Sequence, residues 1–252
     1  MKPPKPDYGL DSPVIIAGLL VVGTISLAAG LLRPHLFGLP MRWIGIIAGA
    51  YCQQGAVSLV YYSRVGKLRM REPFLNSVPW RGDEMVLDIG CGRGLLLVAA
   101  AHRLTTGHAV GVDVWLAKAI TGNRPNSALE NAMLEGVRDR VEVKEADARK
   151  LPFPDGAFDI VVSNFVLHEV TTDADREKMV QEIARVLKPG GYVALRDFIF
   201  TDTCLHTLRQ NGVDAKRARV GSLRYWLGAI LNFGFFRLYH VTGRKLARER
   251  GV

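Results

Sequence analysis

The chain has 252 residues, of which 48% are hydrophobic and 23% are charged, and its formal net charge is +9. The hydrophobic fraction is high for a soluble globular chain, and the excess is concentrated before residue 65. The three cysteines have no metal-ligand spacing, which excludes a cysteine-based zinc site, and we expect no bound metal. They are Cys52, Cys91 and Cys204, a usage compatible with a reducing compartment.

Two long uncharged runs precede residue 65. Val14–Leu32 is continuously apolar and, at about 1.5 Å per residue, long enough for the ~30 Å hydrocarbon core of a bilayer. Trp43–Ser63 has aromatic residues at both ends, as is typical of a membrane span. The sequence therefore predicts a tail over residues 1–12 and a transmembrane hairpin over 13–63, with helices at about 14–32 and 43–62.

Small and amide residues predict how the two helices pack. Gly45-x-x-x-Gly49 and Ser26-x-x-x-Gly30 offer small surfaces for close helix contact. Gln53-Gln54 weakens the second span but can form hydrogen bonds across a hairpin. A re-entrant hairpin that enters only one leaflet therefore stays open.

The charge distribution predicts the orientation of the hairpin. The leader Met1–Pro13 contains four prolines and two aspartates, unlike a cleaved signal peptide. Basic residues flank the hairpin on both outer sides and form a linker or helix over 64–82, so we expect a multi-pass membrane protein with both ends cytoplasmic. The positive charge favours an anionic leaflet as a partner, and no nucleic-acid-binding module is evident.

A strand that leads into a glycine loop marks the start of a second region, over 83–252. Val86–Gly94 reads Val-Leu-Asp-Ile-Gly-Cys-Gly-Arg-Gly, and a helix is predicted from about Leu95. Such a loop offers backbone N–H groups and a helix N-terminus to a polar small molecule. The spacing is G-x-G-x-G rather than the G-x-G-x-x-G of nicotinamide and flavin enzymes, and a glycine loop alone is a weak signal.

Alternating strands and helices follow this loop, as is typical of a doubly wound sheet. We predict strands at Gly107–Trp115 (with Asp113 at its end), Val141–Glu145, Phe158–Ser163 (before Asn164) and Tyr192–Phe198, a helix at Asp173–Leu187, a turn at Lys188–Gly191, and an antiparallel edge strand at Arg237–Arg244.

These segments together resemble a class I S-adenosylmethionine-dependent methyltransferase over about residues 68–246. The matching motifs are Val86–Gly94, Asp113, Asp147-Ala148, Leu151–His168 and Leu187–Gly191. The stretch from Leu151 to Asp159 is most similar to enzymes that methylate quinones, sterols and small metabolites. The resemblance implies an α/β fold, a Rossmann-like doubly wound seven-stranded mixed sheet, with S-adenosylmethionine as cofactor.

The resemblance also implies roles for individual residues in cofactor binding. The loop residues would cradle the methionine end, two aspartates would hold the ammonium and the ribose, and a third would accept from the adenine amino group. The loop residues are Gly90, Cys91, Gly92 and Gly94. Asp88 would hold the ammonium, Asp113 the ribose, and Asp147, with Ala148 beside the ring, the adenine amino group. Val114, Trp115 and Asn164 complete the site. The alternatives are a surface aromatic for Trp115 and helix-cap or turn aspartates for Asp113 and Asp147.

Candidate catalytic residues lie after the fourth and fifth strands, where an acceptor would meet the cofactor. His168 is the best titratable candidate for a general base, beside Asn164, with Asp197 ranked below it. The alternative for His168 is a packed structural histidine. The apolar stretch Leu223–Phe236 is either a lip that admits a lipophilic acceptor from the bilayer or part of an ordinary hairpin and buried helix.

The sequence thus predicts methyl transfer from S-adenosylmethionine to a small hydrophobic acceptor reached from the membrane, such as a quinone, a sterol-like lipid or an apolar metabolite. One alternative is a small diffusible thiol or amine, with the hairpin serving only for location. Another is a catalytically silent membrane scaffold. A homo-oligomer also stays open.

Overall fold

The structure, a computed structural model, describes residues 4–32, 41–116, 118–199, 201–219 and 238–247. The chain divides into two compact units. We call them the helical unit, which comprises Tyr8–Arg69 and Leu116–Asn123, and the sheet unit, which comprises Met1–Asp7, Met70–Trp115 and Arg124–Val252. The predicted lip at 223–236 and the loop around Arg33-Pro34 lie outside the described residues.

Two long helices form most of the helical unit. Helix α1 spans Pro13–Leu32, and helix α2 spans Met41–Tyr61. A π-helical turn at Tyr62–Gly66 continues α2 directly into α3, Lys67–Leu75, so much of the predicted basic linker is helical. By length and composition, both apolar helices could cross a membrane.

Glycines allow α1 and α2 to approach closely, as their spacing predicts. A Cβ atom on Gly45 would lie 2.6 Å from the Ser26 carbonyl oxygen and 2.8 Å from the Gly30 Cα. One on Gly49 would lie 2.7 Å from the Gly23 carbonyl oxygen. Backbones this close leave no room for a larger side chain at either position.

An amide hydrogen bond adds to this packing. The Gln53 side chain donates from Nε2 to Thr24 Oγ1 at 3.0 Å and to the Leu20 carbonyl oxygen at 3.3 Å. The predicted amide contact across the hairpin is therefore present for Gln53.

A seven-stranded mixed sheet forms the centre of the sheet unit, which confirms the Rossmann-like fold. Its spatial order is β3-β2-β1-β4-β5-β7-β6, with β1 to β5 parallel and β7 antiparallel to both of its neighbours. The strands are β1 Met85–Ile89, β2 His108–Asp113, β3 Val141–Glu145, β4 Phe158–Asn164, β5 Leu187–Asp197, β6 Val213–Arg219 and β7 Tyr239–Lys245.

The edge assignment of the last strand was wrong. β7 lies between β5 and β6, and its Val241 is fully buried, whereas β6 forms the edge. Charged residues on β6, such as Asp214 and Lys216, are typical of an edge strand because they discourage further strand pairing. A strand at the end of the chain is not necessarily at the end of the sheet.

β5 also begins earlier than predicted. Leu187 already pairs with Phe158, and a register irregularity follows before Tyr192 pairs with Ile160. The predicted turn at Lys188–Gly191 is therefore a bulged part of β5 rather than a separate element.

Helices cover both faces of the sheet and enclose two apolar clusters. One cluster contains Met179, Ile183 and Leu208, and the other contains Leu97 and Ala132. The helices are α4 Leu95–Ala101, α5 Pro125–Leu134, α6 Asp173–Val186 and α7 Thr201–Gln210, with 3-10 turns at Arg138–Arg140 and Leu167–Glu169. In open sheets of this kind, ligands bind at the carboxyl ends of the strands.

The close helix contact in the helical unit predicts the effect of a small substitution. Gly49→Ala should lower the free energy of unfolding by about 1–3 kcal/mol because its Cβ would overlap backbone atoms of α1. Gly18→Ala is the matched control, since a Cβ there meets nothing within 4 Å and should be neutral or favourable by up to about 1 kcal/mol. Equilibrium unfolding in detergent micelles measures both variants, and equal effects would contradict the packing described.

Candidate cofactor and acceptor site

Polar side chains from four neighbouring strands meet at the carboxyl edge of the parallel sheet. Asp88 lies in β1, Asp113 ends β2, Asn164 ends β4 and Asp197 ends β5. In-register pairing of β1 with β2 and β4, and of β4 with β5, brings these strand ends side by side. The fold thus assembles most of the residues that the sequence suggested as a site.

The loop after β1 requires glycine for conformational and steric reasons. Gly90, Gly92 and Gly94 have φ angles of 69°, 52° and 83°, in the left-handed region that L-residues avoid. A Cβ on Gly90 would also overlap the Val166 side chain, which follows β4. The loop therefore lies close against the β4 end, with α4 beginning directly after Gly94.

Asp113 fixes this loop to the end of β2. Its Oδ2 accepts a hydrogen bond from the Gly92 N–H at 2.8 Å, and its Oδ1 accepts one from the Trp115 N–H at 2.7 Å. Burial raises the pKa of Asp113 above its ordinary value, against the lowering effect of these N–H groups. Each oxygen keeps a lone pair with which it can accept a further hydrogen bond from a hydroxyl group.

Three buried polar atoms at this edge have no hydrogen-bond partner within the described chain. They are Asp88 Oδ2, Trp115 Nε1 and Asn164 Oδ1. A buried polar atom without a partner costs roughly 1–3 kcal/mol, so such a cluster indicates a place where a bound molecule supplies the missing partners. Two acceptors and one N–H donor, with the partly buried Asp113, fit a cationic ligand with its own hydroxyl and amino groups.

Burial raises the pKa values of two groups in the site, Asp88 and Cys91. Burial raises the pKa of Asp88 well above its usual range; the Leu97 backbone N–H opposes this, and the charge of Asp113 adds to it. Burial, with the charges of Asp88 and Asp113, likewise raises the pKa of the Cys91 thiol. Cys91 is therefore a neutral, buried thiol that packs in the loop, and a nucleophilic thiolate is disfavoured.

Asp147 has a partner of its own. Arg149 donates to its carboxylate from Nε at 3.0 Å and from Nη2 at 2.6 Å, and this pairing lowers the pKa of Asp147. Ala148 packs against one apolar cluster, and Val114 is exposed beside the half-buried Trp115.

A histidine–aspartate pair lies on the β4–β5 side of the edge. His168 Nδ1 lies 3.3 Å from Asp197 Oδ2, and the His168 backbone N–H donates to the same oxygen. Asp197 is fully buried, and its Oδ1 accepts from the Phe198 N–H at 2.7 Å. Burial alone would lower the pKa of His168, but the bond and charge of Asp197, with Glu169, raise it above 6.5.

Aromatic rings that the sequence analysis did not assign surround this histidine. Phe198 lies 4.7 Å and Phe165 lies 6.3 Å from the His168 ring, measured between ring centroids. Phe165 also has a left-handed φ of 59°, an unfavourable conformation often found at functional sites. Only the pairing of β4 with β5 brings the two phenylalanines together, so their positions in the sequence gave no signal.

Comparison with known proteins agrees with this geometry. Residues 87–195 match a family model described as a methyltransferase domain. The chain is 36% identical over 131 residues to the 27-O-demethylrifamycin SV methyltransferase of Amycolatopsis mediterranei (strain S699), covering 52% of this chain and 44% of that protein. It is 30% identical over 128 residues to the demethylmenaquinone methyltransferase of Lactobacillus johnsonii (strain CNCM I-12250 / La1 / NCC 533), covering 50% and 48%.

A solved structure shares the fold. The geranyl diphosphate C-methyltransferase of Streptomyces coelicolor A3(2), in complex with Mg²⁺, geranyl diphosphate and S-adenosyl-L-homocysteine, aligns with a TM-score of 0.57 at 15% identity. The alignment covers 77% of this chain and 84% of that one.

The chain spans a little under half the length of the two curated relatives it matches. The fold and the match over residues 87–195 agree: this part of the chain is similar to a methyltransferase domain. The methyltransferase-domain match supports S-adenosylmethionine as the cofactor.

The raised pKa of Asp88 predicts a pH-dependent stability. Its folded pKa exceeds the unfolded value, so the folded state binds more protons and loses stability as pH rises from about 4 through the folded pKa. Asp88→Asn should remove this loss, worth about 1.4 kcal/mol per pKa unit, and stabilise the ligand-free protein more at pH 8 than at pH 5. Denaturant unfolding at both pH values measures this gain in stability. Asp83→Asn, at an exposed carboxylate, is the control. An equal gain at both pH values in Asp88→Asn would contradict the prediction.

Proposed function

We propose that the protein transfers a methyl group from S-adenosylmethionine to a small, hydrophobic acceptor whose attacking atom loses a proton to His168. The observation that carries the proposal is that the site contains two different groups of residues. Unpartnered buried atoms of Asp88, Trp115 and Asn164 lie beside the glycine loop, and a histidine–aspartate pair with aromatic neighbours lies on the adjoining strands.

The cofactor side is proposed to hold S-adenosylmethionine by charge and by backbone groups. The bound cofactor supplies a methyl group activated by a positively charged sulfur. Asp88 would bind the ammonium group, and Asp113 would accept from the ribose hydroxyls with its remaining lone pairs. The loop glycines with Cys91, and then Val114, Trp115, Asp147, Ala148 and Asn164, would complete the contacts with the amino acid and the adenine.

The acceptor side is proposed to position and deprotonate the nucleophile. Asp197 orients the His168 ring through Nδ1, and the opposite nitrogen, which lies 3.4 Å from Glu169 Oε1, would take a proton from the acceptor in place of that contact. Phe165 and Phe198 would exclude water and pack against an apolar ring. The demethylmenaquinone methyltransferase among the relatives supports a quinone-like acceptor over a diffusible thiol or amine.

The hairpin is proposed to anchor the enzyme in a membrane, with the catalytic domain, residues 83–252, in the cytoplasm and next to an anionic leaflet. Only 17% of the most apolar stretch of each helix is buried, whereas the core helix of a soluble protein is mostly buried. Val14, Ile25, Trp43 and Ile47 are among the exposed apolar residues. Such an apolar surface would be stable within a bilayer.

Labelled methyl donor tests the activity and the location together. Washed membranes from cells that express the full chain should transfer label from methyl-labelled S-adenosylmethionine into the organic lipid extract. Asp113→Ala should lower transfer by at least about tenfold because the ribose contact is lost. Label found only in water-soluble thiols or amines would favour the diffusible acceptor. No transfer would favour a membrane scaffold. Release of the protein from membranes by alkaline carbonate would contradict the membrane anchor.

The histidine–aspartate pair predicts a pH profile. A general base must be neutral, so kcat/KM should rise with pH to a plateau, with its midpoint above 6.5. In Asp197→Asn the midpoint should move to lower pH, because the bond and charge that raise the His168 pKa are lost. His168→Ala should lower kcat by about a hundredfold or more. The control is His102→Ala, an exposed histidine paired with Glu135, and a profile unchanged in Asp197→Asn would contradict the role.

A further inference from the structure

The N-terminal segment reaches the cofactor loop within the sheet unit. Asp7 lies in the proline-rich leader, and Arg93 stands between Gly92 and Gly94 in the loop. Asn131, in α5, bonds to both of them. We call these three residues the loop clamp.

Main-chain atoms form most of the loop clamp. Arg93 Nε donates to the Asp7 carbonyl oxygen at 2.7 Å, and Asn131 Nδ2 donates to the same oxygen at 2.9 Å. Asn131 Oδ1 accepts from the Asp7 N–H, and Asn131 Nδ2 also donates to the Arg93 carbonyl oxygen at 2.9 Å. The Asn131 side chain thus joins the leader and the loop backbone at one buried point.

The charge pair within the clamp contributes less than these bonds. Arg93 Nη2 lies 3.2 Å from Asp7 Oδ2, but the Asp7 side chain is half exposed. Exposed ion pairs contribute about 0–1 kcal/mol, whereas losing a partner of a buried hydrogen bond costs about 1–3 kcal/mol. The position of the loop therefore depends most on Asn131, whose bonds to Asp7 and Arg93 are partly buried, and then on the exposed bond from Arg93 to the Asp7 carbonyl oxygen.

A glycine loop benefits from such external contacts. Three of its residues are glycines, which lose the most conformational freedom when they are ordered. Contacts that hold the loop before binding reduce the entropy lost on binding and so raise affinity. Because Arg93 is flanked by two of the glycines, holding its backbone and side chain restrains both neighbours.

We propose that Asn131 and Arg93, bonded to the backbone of Asp7, are positioning residues for S-adenosylmethionine, and that the N-terminal leader is part of the cofactor site. The inference rests on the proposed function only in its choice of ligand. The leader would then have a role in cofactor affinity that is separate from any role of the hairpin in membrane anchoring.

Affinity measurements on the full-length protein test the proposal. In Arg93→Ala and Asn131→Ala, the Kd and KM for S-adenosylmethionine should rise about tenfold, with kcat at saturating cofactor and the acceptor KM within about twofold of the parent. Titration calorimetry and steady-state kinetics provide these values.

A matched arginine separates positioning from general stability. Arg103 is as buried as Arg93, with side chains 16% and 14% exposed, and it also bonds to a main-chain oxygen and an amide side chain. Arg103→Ala should leave the Kd for S-adenosylmethionine unchanged. Hydrogen exchange at Gly92 and Gly94 should be faster in Arg93→Ala and Asn131→Ala than in the parent or in Arg103→Ala, without any ligand present.

The outcomes distinguish this inference from the proposed function. Unchanged cofactor affinity in both clamp variants, or an equal loss in Arg103→Ala, would overturn the positioning role alone. Normal binding of S-adenosylmethionine without methyl transfer to any lipid would overturn the proposed acceptor and leave the clamp standing. No binding by the parent protein would overturn both.

Discussion

The Asp113 carboxylate holds the end of β2 against the glycine loop that follows β1, and the site is built on this contact. It accepts one hydrogen bond from the Gly92 N–H in the loop and one from the Trp115 N–H. Left-handed φ angles at Gly90, Gly92 and Gly94 are required to bring the loop backbone to this carboxylate. A larger residue at Gly90 would be excluded by Val166, so the loop and the β4 end constrain one another.

The carboxylates on the two sides of the sheet edge differ in the charged groups that lie beside them. Asp197 lies against His168, and its hydrogen bond and charge raise the pKa of the imidazole against the lowering effect of burial. Burial raises the pKa of Asp88 and partial burial raises that of Asp113, and the charge of Asp113 further raises the pKa of Asp88. In the proposed function a cationic cofactor would offset the cost of burying these carboxylates and so stabilise the site.

The helical unit is held by two kinds of contact. Along the apolar helices, glycines allow backbone to touch backbone, and the Gln53 amide bonds across. At the polar end, the buried Lys67 ammonium donates to the carbonyl oxygens of Tyr8 and Gly9 and to the Asp11 carboxylate. These bonds order the residues that directly follow Asp7.

Local patterns in the sequence predicted the strands that carry the site and the two apolar helices, because hydrophobic periodicity and glycine spacing act between residues close in the chain. The seven-stranded sheet was predicted from the resemblance and not from these patterns. The β7 position and the bulged start of β5 depended on strand pairing, which no local pattern encodes. The aromatic neighbours of His168 and the bonds of Asn131 to Asp7 join residues distant in sequence, so only the tertiary structure could bring them together.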